Sequence, residues 1–286
     1  KDIGLVLEGG GMRGIYTAGV LDFFMDKNFY LPYVIGVSAG ACQGVSYVSR
    51  QRGRGKNAIQ NHIENPRYIS KRNLVFKRSI MDMDFLFDEI PNKYELFDYD
   101  TFFENEQKCI LVGTSCKTGQ ALYFDAKKDK SKQFVLDSCR ASSSLPFVTP
   151  IVDVRGEPVL DGGIADSIPI KKAIADGNKK NIIVLTRGRE YRKKPSNTAF
   201  ISKKVYKNYP KLQETISSRY RVYNETLDYI ESLEEQGEVF VIRPRRKVEI
   251  DRMERNKSKL ADFYKTGYED AHDIWADLSD WMSKIK

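Results

Sequence analysis

The feature that most constrains this chain is the alternation of its first fifty residues. "IGLVLE" (residues 3–8) is an apolar run of strand length, and "GIYTAGVLDFFMDKN" spaces Ile15, Ala18, Leu21 and Phe24 along one helical face. "YVIGVS" is a second apolar strand, and "AGACQGVSYVSRQRG" reads as a helix closed by Gly53. Strand, helix, strand, helix predicts parallel pairing through a right-handed crossover, and so an α/β fold.

The two strand-to-helix turns carry the chemistry. The first, "GGGMRG", matches G-x-G-x-x-G at Gly9, Gly11 and Gly14, the pattern that cradles a pyrophosphate in dinucleotide-binding folds. Such a site needs an acidic residue about 20 positions on, at the end of the second strand, for the ribose hydroxyls. No Asp or Glu occurs between Asp26 and Glu64, and no G-K-[ST] is present, which excludes a P-loop. A dinucleotide-dependent oxidoreductase is therefore the weaker alternative. The second strand ends instead in "GVSAG", G-x-S-x-G from Gly36 to Gly40, in the strand–turn–helix context that exposes a serine hydroxyl. The bland alternative is an ordinary small-residue turn.

A serine nucleophile explains both turns at once. Attack by Ser38 on an ester carbonyl puts negative charge on oxygen, and backbone N–H groups must already point there. Gly9, Gly10, Gly11 and Met12 are candidate donors, because glycines turn their N–H groups inward without a Cβ in the way. The positive end of the following helix lies at the same place. The proton needs a base. The chain has two histidines, His62 in "IQNHIENP" and His272 in "YEDAHDIW", and neither has a strand-end context. "VLDGGIADSIPI" places Asp161 directly after an apolar strand, where partial burial raises a carboxylate's basicity. An Asp-Gly turn is the competing reading of Asp161, and Asp166 is a second candidate with a weaker motif.

From Arg54 to about Gln107 the alternation breaks down into aromatics interleaved with charge, as in "MDMDFLFDEIPNKYELFDYDTFF". This is either a groove- or lid-forming insertion or a set of short helices capping the sheet. "KCILVGTSCKTGQALYFD" predicts a hairpin, "RGEP" lies between two short strands, and "KNIIVLTRG" is a further central strand. From about residue 196 the pattern is mostly helical, with Val205 to Glu235 amphipathic and one strand at "EVFVIRP". Without internal repeats or low-complexity linkers, residues 1–286 are expected to form a single domain.

Composition matters chiefly for partners. At 30% charged residues and a mean hydropathy of −0.49, the chain reads as soluble, and the uncharged stretch Leu31–Ser49 is broken by Pro32 and three glycines. No signal- or transit-peptide pattern is visible, although Lys1 in place of Met leaves a trimmed N-terminus open. Cys42, Cys109, Cys116 and Cys139 form no C-x-x-C pair and read as free thiols in a reducing compartment, so a cytoplasmic location is expected and no metal site. The net charge of +8, with clusters at "RGREYRKK" (187–194) and "RPRRK" (243–247), is either a solvated surface or an attraction to anionic membrane. Nucleic acid is not expected, since no nucleic-acid-binding module is recognisable.

Three blocks in this order, "GGGMRG" (9–14), "GVSAG" (36–40) and "DGG" (161–163), together with "ASSSLPFVTP" (141–150), resemble the patatin-like phospholipases; the C-terminal third is similar to a bacterial branch of them. The resemblance implies a three-layer α/β/α fold around a mostly parallel sheet and a Ser–Asp dyad without histidine. By position, Ser38 becomes the nucleophile, Asp161 the base and Gly9–Gly11 the oxyanion loop. Arg13 occupies the family's basic position, to orient the loop or meet a lipid phosphate, while Gly14, Gly36, Gly40, Gly162 and Gly163 complete the motifs. It implies hydrolysis of acyl esters, often of phospholipids, with no cofactor. A non-catalytic lipid-binding or scaffold protein of the same fold is the alternative.

Overall fold

The computed structural model describes residues 2–285. In chain order the elements begin with strand β1 (Ile3–Leu7), helix α1 (Gly14–Asp26), β2 (Tyr33–Val37) and α2 (Ala39–Val48). The region that breaks the alternation holds α3 (Arg54–Gln60), α4 (Lys71–Lys77), a π-helical stretch Phe85–Tyr94 and α5 (Tyr99–Glu104). Then come β3 (Lys108–Ser115), β4 (Ala121–Asp125), α6 (Lys132–Ser142), β5 (Val152–Val154), β6 (Glu157–Asp161), α7 (Ile170–Ala175) and β7 (Lys180–Val184). The remainder is α8 (Ala199–Val205), α9 (Pro210–Glu235), β8 (Val239–Ile242), α10 (Lys257–Asp273) and α11 (Trp275–Ser283).

The strands form one sheet in the order β5-β6-β3-β2-β1-β7-β8, with β4 also paired to β3. The central strands are parallel, whereas β4, β5 and β6 pair antiparallel. β1 and β2 are buried at every position, as expected for parallel strands covered on both faces. Alternate residues feed two cores. Ile3, Leu5 and Leu7 pack toward α1, α2 and α10, while Val6, Ile35 and Ile183 pack toward α7 and α9. This is a three-layer α/β/α arrangement.

Two local expectations are corrected. The second helix ends at Val48 rather than running to Gly53, because Arg50 turns to a positive φ of 60°. Gly53 instead opens α3, donating its N–H to Asp22 at 2.9 Å. The long amphipathic stretch from Val205 is likewise split, and α9 restarts at Pro210, a residue suited to the first turn of a helix.

Candidate active site

The site lies at the C-terminal ends of β1, β2 and β6, and strand register explains how it is assembled. Along one edge β3 pairs with β2 as far as Val112↔Val37, and then with β6 from Gly113↔Asp161. The opposite edge at these positions is occupied by β4, so β2 and β6 share an edge. They meet there C-terminus to C-terminus, which sets Ser38 and Asp161 side by side next to Gly113. The "ASSS" segment clamps the junction. Ser142 Oγ accepts the Ser38 N–H at 2.8 Å and donates to the Val112 carbonyl at 2.6 Å, and the Asp161 N–H donates to the Ser144 carbonyl at 2.8 Å.

Ser38 has φ 54° and ψ −120°, a conformation that costs a non-glycine residue on the order of 1–3 kcal/mol. The flanking glycines permit the bend. A Cβ on Gly36 would stand 2.5 Å from the Gly40 carbonyl oxygen, and one on Gly40 would stand 2.5 Å from that of Leu7. Gly14 brings the start of α1 equally close to Ala39, so the glycine loop and the serine elbow are packed together.

In the glycine loop, Gly11 takes φ +58°, which turns the chain into the short helical turn Gly11–Arg13. Of the four expected donors the structure leaves two available. Met12 gives its N–H to the Arg252 carbonyl at 3.0 Å, and Gly9 gives its N–H to the Ser167 carbonyl at 3.4 Å. Gly10 and Gly11 have no partner for theirs among the described residues. Met12 is thus moved from the donor set to the wall of the neighbouring cavity.

Asp161 is 3% exposed. Its Oδ1 accepts the Gly163 N–H at 2.7 Å, and its Oδ2 completes no hydrogen bond among the described residues. Burial raises its pKa; the Arg219 guanidinium opposes the shift first, then the Ser38 hydroxyl and the Gly163 N–H. Gly162 lets this turn approach β3, since a Cβ there would lie 2.2 Å from the Val112 carbonyl oxygen. Asp166 stands apart, its carboxylate accepting from the Tyr123 hydroxyl at 2.8 Å.

Neither histidine lines a cavity at the serine. His272 is on an exposed face of α10 and packs edge-on against Phe23. His62 sits among Phe85 and Tyr94, with Glu95 3.5 Å from its Nε2.

Ser38 opens onto an apolar cavity of about 170 Å³, larger than the roughly 150 Å³ engineered cavity that takes up benzene. Ile59, Tyr68, Ile69, Met81, Ile90 and Phe97 line it, so the region that interrupts the strand–helix alternation forms much of its wall. Sequence reasoning missed Glu8, Tyr223, Arg219 and Arg252, which line a cavity with Ser38 and Asp161. It noted Arg187 and Lys193 only as members of a basic cluster.

Residues 5–174 match the family model described as "Patatin-like phospholipase", and residues 209–283 match a "Domain of unknown function (DUF6363)". The chain is 33% identical over 189 residues to "Uncharacterized protein YjjU" of Escherichia coli (strain K12), covering 64% of this chain and 52% of that protein. It is 26% identical over 200 residues to "Probable lipid hydrolase 463L" of Invertebrate iridescent virus 6, covering 62% and 65%. It is also 24% identical over 297 residues to "Lysophospholipase NTE1" of Candida albicans, covering 99% of this chain but 20% of that one. The chain therefore spans about half the length of YjjU and a fifth of that lysophospholipase. Among solved structures, VipD from Legionella pneumophila aligns with a TM-score of 0.48 at 14% identity, over 96% of this chain and 66% of that one.

Proposed function

The chain belongs to the patatin-like phospholipase family, and on that premise we propose that it is a serine acyl-ester hydrolase acting on lipids through a Ser38–Asp161 dyad. The observation that carries this reading is the meeting of Ser38, on a strained positive-φ elbow, with a buried carboxylate beside Gly113. Ser38 Oγ attacks the ester carbonyl while its proton passes to Asp161 Oδ2. The carbonyl oxygen takes the developing charge and faces the free N–H groups of Gly10 and Gly11. Asp161 returns the proton to the leaving alkoxide, and water, deprotonated by the same carboxylate, releases the acyl group from Ser38. The acyl chain occupies the apolar cavity. A fluorophosphonate probe tests the reading directly: the wild type is expected to be labelled and Ser38→Ala is not. A folded wild type that resists the probe argues for the non-catalytic alternative.

The raised pKa of Asp161 has a consequence for rate. The base works only when ionised, so activity is lost as pH falls through the folded pKa. The acid limb of the kcat/KM profile is therefore expected above the ordinary aspartate value of about 3.9. Arg219 stabilises the ionised form, so Arg219→Met should move that limb further up. An acid limb that stays in place in this variant, measured with a neutral ester, rules out the electrostatic link.

Contact with a lipid surface has its own support in α4. Val75 and Phe76 are 76% and 72% exposed, with Leu74 beside them, and Lys71, Arg72, Lys77 and Arg78 flank the apolar face. The helix lies between Ile69 and Met81, two residues of the apolar cavity wall. No helix among the described residues is long and apolar enough to cross a membrane, and the seven-residue α4 would meet a bilayer only at its surface. Val75→Asp and Phe76→Asp should each weaken binding to phosphatidylglycerol vesicles roughly tenfold in sedimentation, from the lost burial of one side chain. Undiminished binding in both variants would place the contact elsewhere.

A further inference from the structure

A second cavity holds Ser38, Asp161, Gly10 and Gly11, which the proposed hydrolase chemistry uses, and beside them a cluster of cations to which that chemistry gives no task. It is small, about 40 Å³, and it shares Gly11, Ser38, Leu145 and Arg252 with the apolar one, so the two meet at the nucleophile. Five cationic side chains line it: Arg13, Arg187, Lys193, Arg219 and Arg252. Among the described residues none of the five forms an ion pair within 4 Å, and the buried Nε atoms of Arg13, Arg187 and Arg219 have no hydrogen-bond acceptor. Their neighbour Arg192 shows the contrast, because it points outward to Asp228 and Glu231 at 3.2 and 3.1 Å.

Among the described residues lining the cavity only two carboxylates, Glu8 and Asp161, face these five cations. Glu8 accepts from the Thr186 N–H at 2.6 Å, the Thr186 hydroxyl at 3.0 Å and the Tyr223 hydroxyl at 2.5 Å. Asp161 is held by Gly163 as described above. Five partly buried cations facing two carboxylates leave an excess of positive charge, which is costly, and its effect falls on Lys193. Burial, together with Arg219, Arg252 and Arg13, pulls its pKa down to about 7 against the smaller opposing pull of Glu8. A bound anion would reverse that shift.

The chemistry of the lining narrows the ligand. Several guanidinium groups converging from different elements, with unused N–H donors, suit the oxygens of a tetrahedral oxyanion. The volume has room for such a group. We propose that this cavity is a phosphate subsite, filled by the phosphomonoester of an acyl-glycerol phosphate whose ester carbonyl lies at Ser38 and whose chain lies in the apolar cavity. The assignment rests on the hydrolase reading for the position of the ester, and free inorganic phosphate is the other source of the same chemistry. The C-terminal third contributes directly, since Arg219 is on α9 and Arg252 precedes α10.

Two measurements separate the sources. In the first, Ser38→Ala protein is titrated with inorganic phosphate by calorimetry. Binding is expected, and adding Lys193→Met or Arg187→Met should weaken it at least about tenfold, with Lys193→Arg restoring it. In the second, kcat/KM for a 1-acyl-glycerol 3-phosphate is compared with that for the same monoacylglycerol lacking phosphate. The wild type should favour the phosphorylated ester at least about tenfold, and Lys193→Met should largely erase the ratio. No phosphate binding and no preference overturns the subsite. Phosphate binding without any preference makes the free anion the ligand and overturns the lipid assignment while leaving the hydrolase standing. Absence of Ser38-dependent turnover on every ester, with phosphate still bound, is instead the failure of the hydrolase reading.

Discussion

Ser38→Ala and Asp161→Asn are each expected to cut hydrolysis of a p-nitrophenyl acyl ester by on the order of 10⁴-fold, with the fold intact by circular dichroism. The two losses arise differently. Alanine removes the proposed attacking atom. Asparagine keeps the shape of the Asp161 turn and the acceptor for Gly163 but offers no basic oxygen, so the serine proton has nowhere to go. In the proposed dyad the two groups act in one step, so the double variant should be little worse than either single one. His272→Ala should leave the rate essentially unchanged, since that ring packs on Phe23 at the outside of α1. Near-wild-type turnover in a folded Asp161→Asn protein would remove the dyad, and a large loss in His272→Ala would point to a histidine base.

The second large effect is expected far from the chemistry. Gly267→Ala should destabilise the protein by about 3 kcal/mol, lowering Tm by roughly 5–10 °C, and should reduce activity with it. A Cβ at Gly267 would fall 2.1 Å from the Tyr16 carbonyl oxygen, and one at Gly19 would fall 2.1 Å from that of Tyr264. These are backbone atoms, so no side chain can swing aside, and α1 and α10 must separate. Around this close crossing, Tyr16 donates to Asp270 at 3.0 Å, Tyr264 to Asp22 at 2.7 Å and Tyr268 to Asp26 at 2.9 Å. Separation therefore strains those bonds as well. It also reaches the site, because α1 starts at Gly14, immediately after the glycine loop, and Met12 hangs on the Arg252 carbonyl just before α10. Gly188→Ala is the control: its Cβ would meet only the Pro244 carbonyl oxygen, at an ordinary 3.5 Å, and should cost less than about 0.5 kcal/mol. Equal melting temperatures for the two variants would show that the crossing tolerates a methyl group.

Much of the architecture was legible because it is written locally. The apolar runs of β1, β2 and β7 and the helical spacing of α1 are properties of short windows. The glycines of the elbow are needed by the turn in which they occur. The conformation of the glycine loop was legible only in part. Small residues indicate that N–H groups can turn inward, but which of them stay free depends on what approaches from outside. Arg252, some 240 residues later, takes the N–H of Met12 and leaves those of Gly10 and Gly11.

What the sequence by itself determined is the βαβα start, the two turns and the absence of an acid that would have made the first turn a nucleotide site. Those follow from backbone sterics and hydrophobic period, which act over a few residues. The tertiary structure alone decided that β6 takes over the edge of β3 where β2 stops, placing Asp161 beside Ser38. It alone decided how the basic cluster at residues 187–194 divides. Arg187 and Lys193 turn into the site with Arg13, Arg219 and Arg252, whereas Arg189 and Lys194 remain in solvent. The physical reason is the same in both cases. Register and side-chain direction are set by packing between segments far apart in the chain, and a charge shows no sign in the sequence of which way it will face.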